Sequence, residues 1–151
     1  MASSEQPTGL PRSGRLAGID FGTVRIGIAI CDPGQKFASP LENYTRLTQA
    51  RDADRFQRLV RDEGLVAFVV GLPVHLSGEE SHKSMQAREF GAWLAQVTAL
   101  PVEFYDERFT SVEAEQFLLA AQLTSKKRKA RMDMVAAQIM LTGYLESRAA
   151  R

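Results

Sequence analysis

The sequence predicts an α/β domain in which a mixed β-sheet is flanked by helices. Three short apolar stretches come first and are separated by turn sequences, a pattern typical of an antiparallel meander. Stretches with helical periodicity then alternate with apolar runs of strand length, which favours right-handed crossovers and parallel strands. With 151 residues, of which 44% are hydrophobic, the chain fits one domain with a proper core.

The first three strands are predicted at residues 16–21, 25–31 and 38–44. The connecting sequences GT and DPGQ are favourable turns, so that neighbouring strands are expected to pair antiparallel. A helix is predicted next, because a single helical face carries apolar side chains and a glycine follows where the helix should end. The residues concerned are Ala53, Phe56, Val60 and the terminating Gly64.

The middle of the chain continues the alternation. The apolar run at residues 65–73 predicts a strand that is covered on both faces. A polar loop at residues 74–84 contains both histidines, His75 and His82, and we expect these side chains to be exposed. A short strand is predicted at residues 101–108. Between loop and strand lies a helix whose aligned apolar residues are Ala87, Phe90, Leu94 and Val97.

The last third of the chain is predicted to be helical. Thr110 and Glu113 form a capping box, which predicts the start of a helix. The apolar residues on the buried face of that helix are expected to be Ala114, Phe117, Leu118 and Ala121. A basic stretch then precedes a final, strongly apolar helix from about Met132.

Composition limits the classes of function. Lys and Arg number 19 and Asp and Glu 18, so that any nucleic-acid-binding surface must be a local patch. The single cysteine, Cys31, excludes an internal disulfide, fits a reducing cytosol and is expected to be a small buried residue. No apolar stretch approaches the roughly 20 residues of a membrane span, and residues 1–14 lack the apolar core of a secretion signal. We therefore expect a cytoplasmic protein with a flexible tail at residues 1–14 and one domain at residues 15–148.

Four acidic residues lie where a sheet or a buried helix face would be expected to be apolar. Asp20 ends the first strand, and Asp106 and Glu107 end the strand at residues 101–108. Asp133 shares a helical face with apolar residues, namely Ala136, Ala137, Met140 and Tyr144. A buried carboxylate is costly unless a basic side chain or a metal ion compensates its charge. Since such acids gather at the ends of parallel strands, together they favour a Mg²⁺ or Mn²⁺ site.

Each acid taken alone also has a structural explanation. An aspartate at the end of a strand, such as Asp20, is often a turn former or a helix cap. Asp133 could gain from the dipole at the start of its helix. Glu107 could form a surface ion pair with Arg108. The basic compensators available to the acids are Arg25, Arg108 and Arg131.

Four motifs, in order along the chain, resemble those of the YqgF (RuvX) family: DFGTVRIGIA, GLPVHLSG, DERFTS and KARMDMVAA. The resemblance covers residues 15 to 147. It implies an RNase H-like fold with a five-stranded mixed sheet in the order 3-2-1-4-5, related to the Holliday-junction resolvase RuvC. It also implies a metal-dependent nuclease. Bacterial members are associated with maturation of the 5′ end of 16S ribosomal RNA, and some are discussed as junction resolvases.

The resemblance assigns the catalytic and metal-binding roles to Asp20, Glu107 and Asp133. RuvC carries its second acid after the strand next to strand one, where this chain has Gly71 and no acid. The replacement must come from the following strand, roughly 9.5 Å from the first, across a segment with little side-chain obstruction. Strand alternation puts Asp106 and Glu107 on opposite sides, and the longer Glu107 is preferred as the ligand, with Asp106 as the alternative.

Basic residues next to Asp133 are the predicted contacts to a nucleic-acid backbone: Lys126, Lys127, Arg128, Lys129 and Arg131. The alternative is that this run is only a solvated helix start. Arg25 and Arg108 are expected either to contact phosphate or to neutralise the acidic cluster. The implied partner is nucleic acid, either structured RNA or branched DNA, and the protein is expected to be a monomer or a homodimer.

Two other classes of function compete with a nuclease. The sequence IDFGTVRIGIA also resembles the phosphate-binding hairpin of actin-like and sugar-kinase-like ATPases, but those proteins need two such domains and this chain has room for one. A non-catalytic RNA-binding module with the same fold is the other alternative. The presence of Asp20, Glu107 and Asp133 argues against it.

Overall fold

The computed structural model describes residues 9–73, 82–106 and 125–149 of the chain, with side chains from residue 131 onward in the last range. The strands are β1 (Arg15–Asp20), β2 (Arg25–Cys31), β3 (Ala38–Thr45), β4 (Leu65–Leu72) and β5 (Val102–Asp106). The helices are α1 (Gln49–Glu63), α2 (His82–Thr98) and α3 (Ser125–Ala149). Among the described residues, no helix is both long and apolar enough to cross a membrane.

The strands form one mixed sheet in the order β3-β2-β1-β4-β5. The β1–β2 and β2–β3 pairs are antiparallel, whereas β1–β4 and β4–β5 are parallel. This arrangement confirms the predicted mixed sheet and its order 3-2-1-4-5. In the β1–β2 ladder Asp20 lies opposite Gly27, and in the β4–β5 ladder Leu72 lies opposite Asp106.

The sheet separates two hydrophobic cores. On one face, α1 and α2 contribute Phe56, Leu59, Phe90 and Leu94 to a core that includes Ile19 of β1. On the other face, α3 is the one helix among the described residues that packs on the sheet, and the residues that it buries there include Ala137, Met140, Leu141 and Tyr144. Because both faces are covered, β4 is almost continuously apolar, as expected of a central parallel strand.

The ends of α1 follow local chemistry. At its start, the Thr48 side chain accepts a hydrogen bond from the Arg51 N–H. At its end, Gly64 adopts the left-handed conformation (φ 64°) and donates its N–H to the Val60 carbonyl. The predicted termination at Gly64 is therefore confirmed.

Helix α3 begins at Ser125, and the prediction of a helix from about Met132 was wrong by seven residues. Lys and Arg have high helix propensity, and no proline or glycine interrupts the basic stretch, so the helix extends through it. The predicted capping box at Thr110 and Glu113, and the helix that it would open, lie outside the described residues.

Residues 9–14 were predicted to belong to a flexible tail, but they pack against α3. Leu10 is buried, and its carbonyl accepts a 2.5 Å hydrogen bond from Nη2 of Arg148. Nη1 of Arg148 donates to the Pro11 carbonyl at 3.2 Å.

Cys31 is buried as predicted, and its sulfur accepts a hydrogen bond from the Leu16 N–H. Burial raises the pKa of this thiol, which is consistent with a packing role.

Helix α3 lies directly on the backbone of two glycines of the sheet. A methyl group on Gly27 would lie 2.0 Å from the Asp133 carbonyl oxygen. A methyl group on Gly18 would lie 2.9 Å from Cβ of Leu141 and 3.2 Å from the Ala137 carbonyl oxygen. Gly27 of β2 is opposite Asp20 of β1 in the β1–β2 ladder. This contact therefore places the helical turn of Asp133 next to the end of β1 that carries Asp20.

We predict that Gly27→Ala lowers the free energy of unfolding by about 2 kcal/mol or more, because the helix backbone cannot move away without loss of core packing. Gly143→Ala is the matched control, since its methyl group would meet Tyr105 at an ordinary 3.4 Å. Alanine favours a helix by about 1 kcal/mol over glycine, so the control should be neutral or stabilising. Urea denaturation measures both variants, and equal stability of the two would contradict the close seating of α3.

Candidate active site

An open cleft of about 370 Å³ lies at the carboxyl end of β1. Acidic, basic and polar side chains from β1, the β1–β2 hairpin, α2 and α3 line it. The lining residues are Asp20, Phe21, Gly22, Thr23, Val24, Arg25, Pro73, Lys83, Gln86 and Asp133. The cleft therefore brings together two of the three acids that the sequence predicted, Asp20 and Asp133.

Asp20 is held by a tight hairpin. It is the last residue of β1, and Gly22 opens the turn into β2. A methyl group on Gly22 would lie 2.3 Å from the Arg25 carbonyl oxygen, so only glycine fits this turn. The hairpin thus fixes both the carboxylate and Arg25 at the edge of the cleft.

Asp133 lies at the solvent end of a buried helical stripe. Ala136, Ala137, Met140 and Tyr144 are all buried, which confirms the stripe predicted from the sequence. The Asp133 side chain itself is 29% exposed, so the cleft admits water to its carboxylate. The helix can carry an acid here because its stripe reaches the cleft at this turn.

Arg25 is paired with Asp133 across the cleft. Its Nε donates to Oδ2 of Asp133 at 3.3 Å, and the two side chains are 51% and 29% exposed. Of the two expectations for Arg25, the structure shows neutralisation of an acid. Exposed ion pairs stabilise a fold by only about 0–1 kcal/mol, so this pair can be exchanged for other partners.

Asp106 lies on the opposite face of the sheet from Asp20. In β5, Val102 and Phe104 pack against the core of α1 and α2. Tyr105, by contrast, packs on the side of α3, with its ring 5.8 Å from that of Tyr144. Alternation therefore assigns the exposed Asp106 to the α1–α2 side, whereas Asp20, which follows Ile19, belongs to the α3 side.

Several predicted site residues fall outside the described part of the structure: Glu107, Arg108, His75 and the side chains of Lys126, Lys127, Arg128 and Lys129. Arg131 is exposed, two residues before Asp133 on α3, and His82 is exposed at the start of α2. Within the described residues, no group of three or more His, Cys, Asp or Glu side chains could hold a metal ion. The described carboxylates of the cleft are the pair formed by Asp20 and Asp133.

Lys83 and Gln86 line the cleft from the first turns of α2 and were not predicted as site residues. Residues 74–84 were predicted as a polar loop, but α2 begins at His82. The available signal was the connection, since a helix that follows a parallel strand starts near the carboxyl ends of the strands. Lys83 adds a second basic side chain beside the acids.

One known protein family matches almost the whole chain. The model of the RuvX family, described as Holliday junction resolvase, matches residues 14–147. The chain belongs to the RuvX family. The resemblance inferred from the four motifs is thereby confirmed, and with it the prediction of a nuclease at the level of the family.

Relatives of the chain carry a different name from that of the family model. A protein of Rhodopirellula baltica named as a pre-16S rRNA nuclease is 50% identical over 139 residues, which are 92% of this chain and 80% of the relative. A protein of Koribacter versatilis with the same name is 41% identical over 135 residues, 89% of this chain and 88% of the relative.

Solved structures confirm the RNase H-like fold. Thermus thermophilus RuvC in complex with a Holliday junction matches with a TM-score of 0.57 at 18% identity, covering 89% of this chain and 96% of RuvC. The Fowlpox virus resolvase in complex with a Holliday junction matches with a TM-score of 0.58 at 10% identity, covering 89% and 98% of the two chains. At these identities the similarity concerns the fold.

Proposed function

We propose that this RuvX protein is a metal-dependent nuclease that hydrolyses phosphodiester bonds in the precursor of 16S ribosomal RNA, in the cytoplasm. The observation that carries the proposal is that β1 brings Asp20, and α3 brings Asp133, into the same open cleft. The names of the relatives from R. baltica and K. versatilis support precursor RNA as the substrate. Holliday-junction DNA is the second candidate, supported by the description of the family model.

The cleft residues fit a hard divalent cation. Aspartate oxygens are the ligands that Mg²⁺ and Mn²⁺ prefer, and an open cleft leaves room for waters and substrate phosphate in the coordination shell. We propose Asp20, Asp133 and Glu107 as the ligands. Glu107 is preferred over Asp106 because Asp106 belongs to the other face of the sheet. When bound, the ion would activate a water molecule and stabilise the leaving oxygen.

The chain itself positions the substrate. Asp20 ends a central strand and Asp133 belongs to a helix seated on Gly27, so neither carboxylate needs to be ordered when substrate arrives. Arg25 and Lys83 line the same cleft and supply positive charge for the scissile phosphate. We propose that Arg25 then exchanges its exposed contact with Asp133 for the phosphate.

We assign the contacts to the rest of the nucleic-acid backbone, beyond the cleaved phosphate, to the basic run at the start of α3 and to Arg108. The run comprises Lys126, Lys127, Arg128, Lys129 and Arg131. Because the net charge of the chain is only +1, a local cluster of this kind is needed to attract a polyanion. Its position on the helix of Asp133 directs the strand toward the cleft.

Asp20→Asn tests the nuclease proposal. Purified protein is offered a fragment of 16S precursor RNA and a four-way DNA junction, each with Mg²⁺ or Mn²⁺. We expect metal-dependent cleavage of the RNA and a loss of at least about a hundredfold in Asp20→Asn, since even indirect support of a metal ligand is worth 10–100-fold. The control Asp54→Asn removes a carboxylate that is exposed on α1 and should retain full activity.

Wild-type cleavage by Asp20→Asn would contradict the role of this carboxylate. Faster cleavage of the junction than of the RNA would instead favour a resolvase. Binding of RNA without metal-dependent cleavage would favour the non-catalytic module.

Arg25→Ala tests whether Asp133 is a metal ligand. A divalent ion and Arg25 compete for the same carboxylate, so removing Arg25 should raise Mn²⁺ affinity about two- to fivefold, the range expected for an exposed ion pair. Calorimetric titration of Mn²⁺ into the protein without nucleic acid measures this. Arg15→Ala is the control, because it breaks a pair of the same 3.3 Å length, with Glu63, and should not change the affinity. Equal affinities in both variants would remove Asp133 from the ligand set.

A further inference from the structure

A second cleft, here called the side cleft, adjoins the cleft that contains Asp20. Its volume is about 280 Å³. Phe21, Thr23 and Gln86 line both clefts, so the two clefts meet at these residues. The side cleft takes no part in the function proposed above.

Aromatic rings form one wall of the side cleft. The Phe21 and Phe90 ring centroids are 4.9 Å apart with an interplanar angle of 34°. Those of Phe90 and Trp93 are 5.5 Å apart with an angle of 38°. Phe90 is buried, whereas Phe21 and Trp93 are only partly buried and line the cleft. The wall therefore presents aromatic surface to solvent.

Arg46 lies over this wall and is held in place. Its guanidinium carbon is 5.2 Å from the Phe21 ring centroid and 5.9 Å from that of Phe90. Its Nε lies 3.5 Å from Oδ2 of Asp52, a buried carboxylate. Asp52 also accepts hydrogen bonds from the Tyr44 hydroxyl at 2.6 Å and the Leu47 N–H at 2.9 Å. Burial and the bond to Asp52 raise the pKa of Tyr44 to about 12, so this anchor stays intact at neutral pH.

The chemistry of the side cleft selects a planar ligand with polar edges. Gln86 and Glu89 supply amide and carboxylate groups next to the aromatic wall. A purely apolar ligand would leave these groups without partners, and a free anion would be repelled by Glu89. Nucleobases stack on aromatic rings and on guanidinium planes, and they form hydrogen bonds along their edges.

We propose that the side cleft binds the base of an unpaired nucleotide next to the phosphate that is cleaved at Asp20. This inference rests on the proposed nuclease function. Phe21 follows Asp20 directly, so their Cα atoms are about 3.8 Å apart, and successive side chains at a strand end leave on opposite sides. Because Phe21 lines both clefts, a nucleotide whose phosphate lies beside Asp20 can place its base in the side cleft. A base inside a duplex has both faces stacked and its pairing edge occupied, so the enzyme would select unpaired strands.

Trp93 reports on the side cleft because it is the only tryptophan of the chain. Divalent metal is left out so that the RNA is not cleaved. Wild-type protein is then titrated with a short single-stranded RNA and with the same RNA annealed to its complement. Fluorescence anisotropy of labelled RNA measures binding, and Trp93 emission measures occupancy of the side cleft. We expect saturable quenching by the single strand, in parallel with binding, and no quenching by the duplex.

Arg46→Lys separates stacking from charge. Lysine keeps the positive charge beside Asp52 but lacks the planar guanidinium. We expect about five- to tenfold weaker binding of the single strand, as for the loss of about one stacking contact, and unchanged binding of the duplex. Arg58→Lys is the control, since Arg58 is exposed on α1 and pairs with Asp54. Melting temperatures of both variants verify folding.

The outcomes distinguish the two proposals. Binding without a change in Trp93 emission, or equal weakening of single strand and duplex by Arg46→Lys, overturns the side cleft and leaves the nuclease proposal intact. A Trp93 response without metal-dependent cleavage supports the side cleft and contradicts the nuclease. Absence of binding to every RNA overturns both.

Discussion

The close contact between α3 and Gly27 determines the position of Asp133. No side chain separates the helix backbone from β2 at this point, and the strand residue opposite Gly27 is Asp20. One carboxylate thus comes from the sheet and the other from the helix that lies on it. A larger residue at position 27 would move the helix by the thickness of a methyl group, and with it the acid. Positional catalysis by a metal site depends on such fixed mounting of its ligands.

At the end of β1, the two sides of the strand carry side chains of different chemical character. Asp20 faces the acidic cleft on the side of α3, and Phe21 joins the aromatic wall on the side of α1 and α2. The glycine turn at Gly22 then returns the chain to β2 and brings Arg25 to Asp133. A short stretch of sequence therefore supplies the carboxylate, the arginine and the aromatic surface to which we assign the catalytic, phosphate-binding and base-binding roles.

Local patterns in the sequence were sufficient for most of the fold. The limits of β2, the end of α1 at Gly64 and the buried stripe of α3 follow from apolar periodicity and turn chemistry, which act over a few residues. The start of α3 was missed because a basic run is typical of both a loop and an exposed helical turn. The helix extends through it because Lys and Arg favour a helix and because the following turns pack on the sheet.

The sequence predicted only those site residues that stand out from the pattern around them. Asp20 and Asp133 interrupt apolar patterns, and a charge in such a place requires an explanation. Lys83 has no such signal, because a lysine in a polar stretch is unremarkable until the fold brings it to the cleft. The contact between Arg25 and Asp133 spans 108 positions of the chain, and that between Arg46 and Phe90 depends on the packing of α2 on α1 and the sheet. Contacts of this kind arise from tertiary structure.

The claim that Asp20 and Asp133 hold the same metal ion is tested most directly by a double-mutant cycle on Mn²⁺ binding. Calorimetry compares the wild type with Asp20→Asn, Asp133→Asn and the double variant. If both carboxylates bind one ion, either single change already removes most of the affinity. The double variant should then bind about as weakly as each single one, with a coupling of at least about 1 kcal/mol. A shared ion would be contradicted if the fold losses of Mn²⁺ affinity in the two single variants multiplied in the double variant. It would also be contradicted if either single variant kept the wild-type affinity.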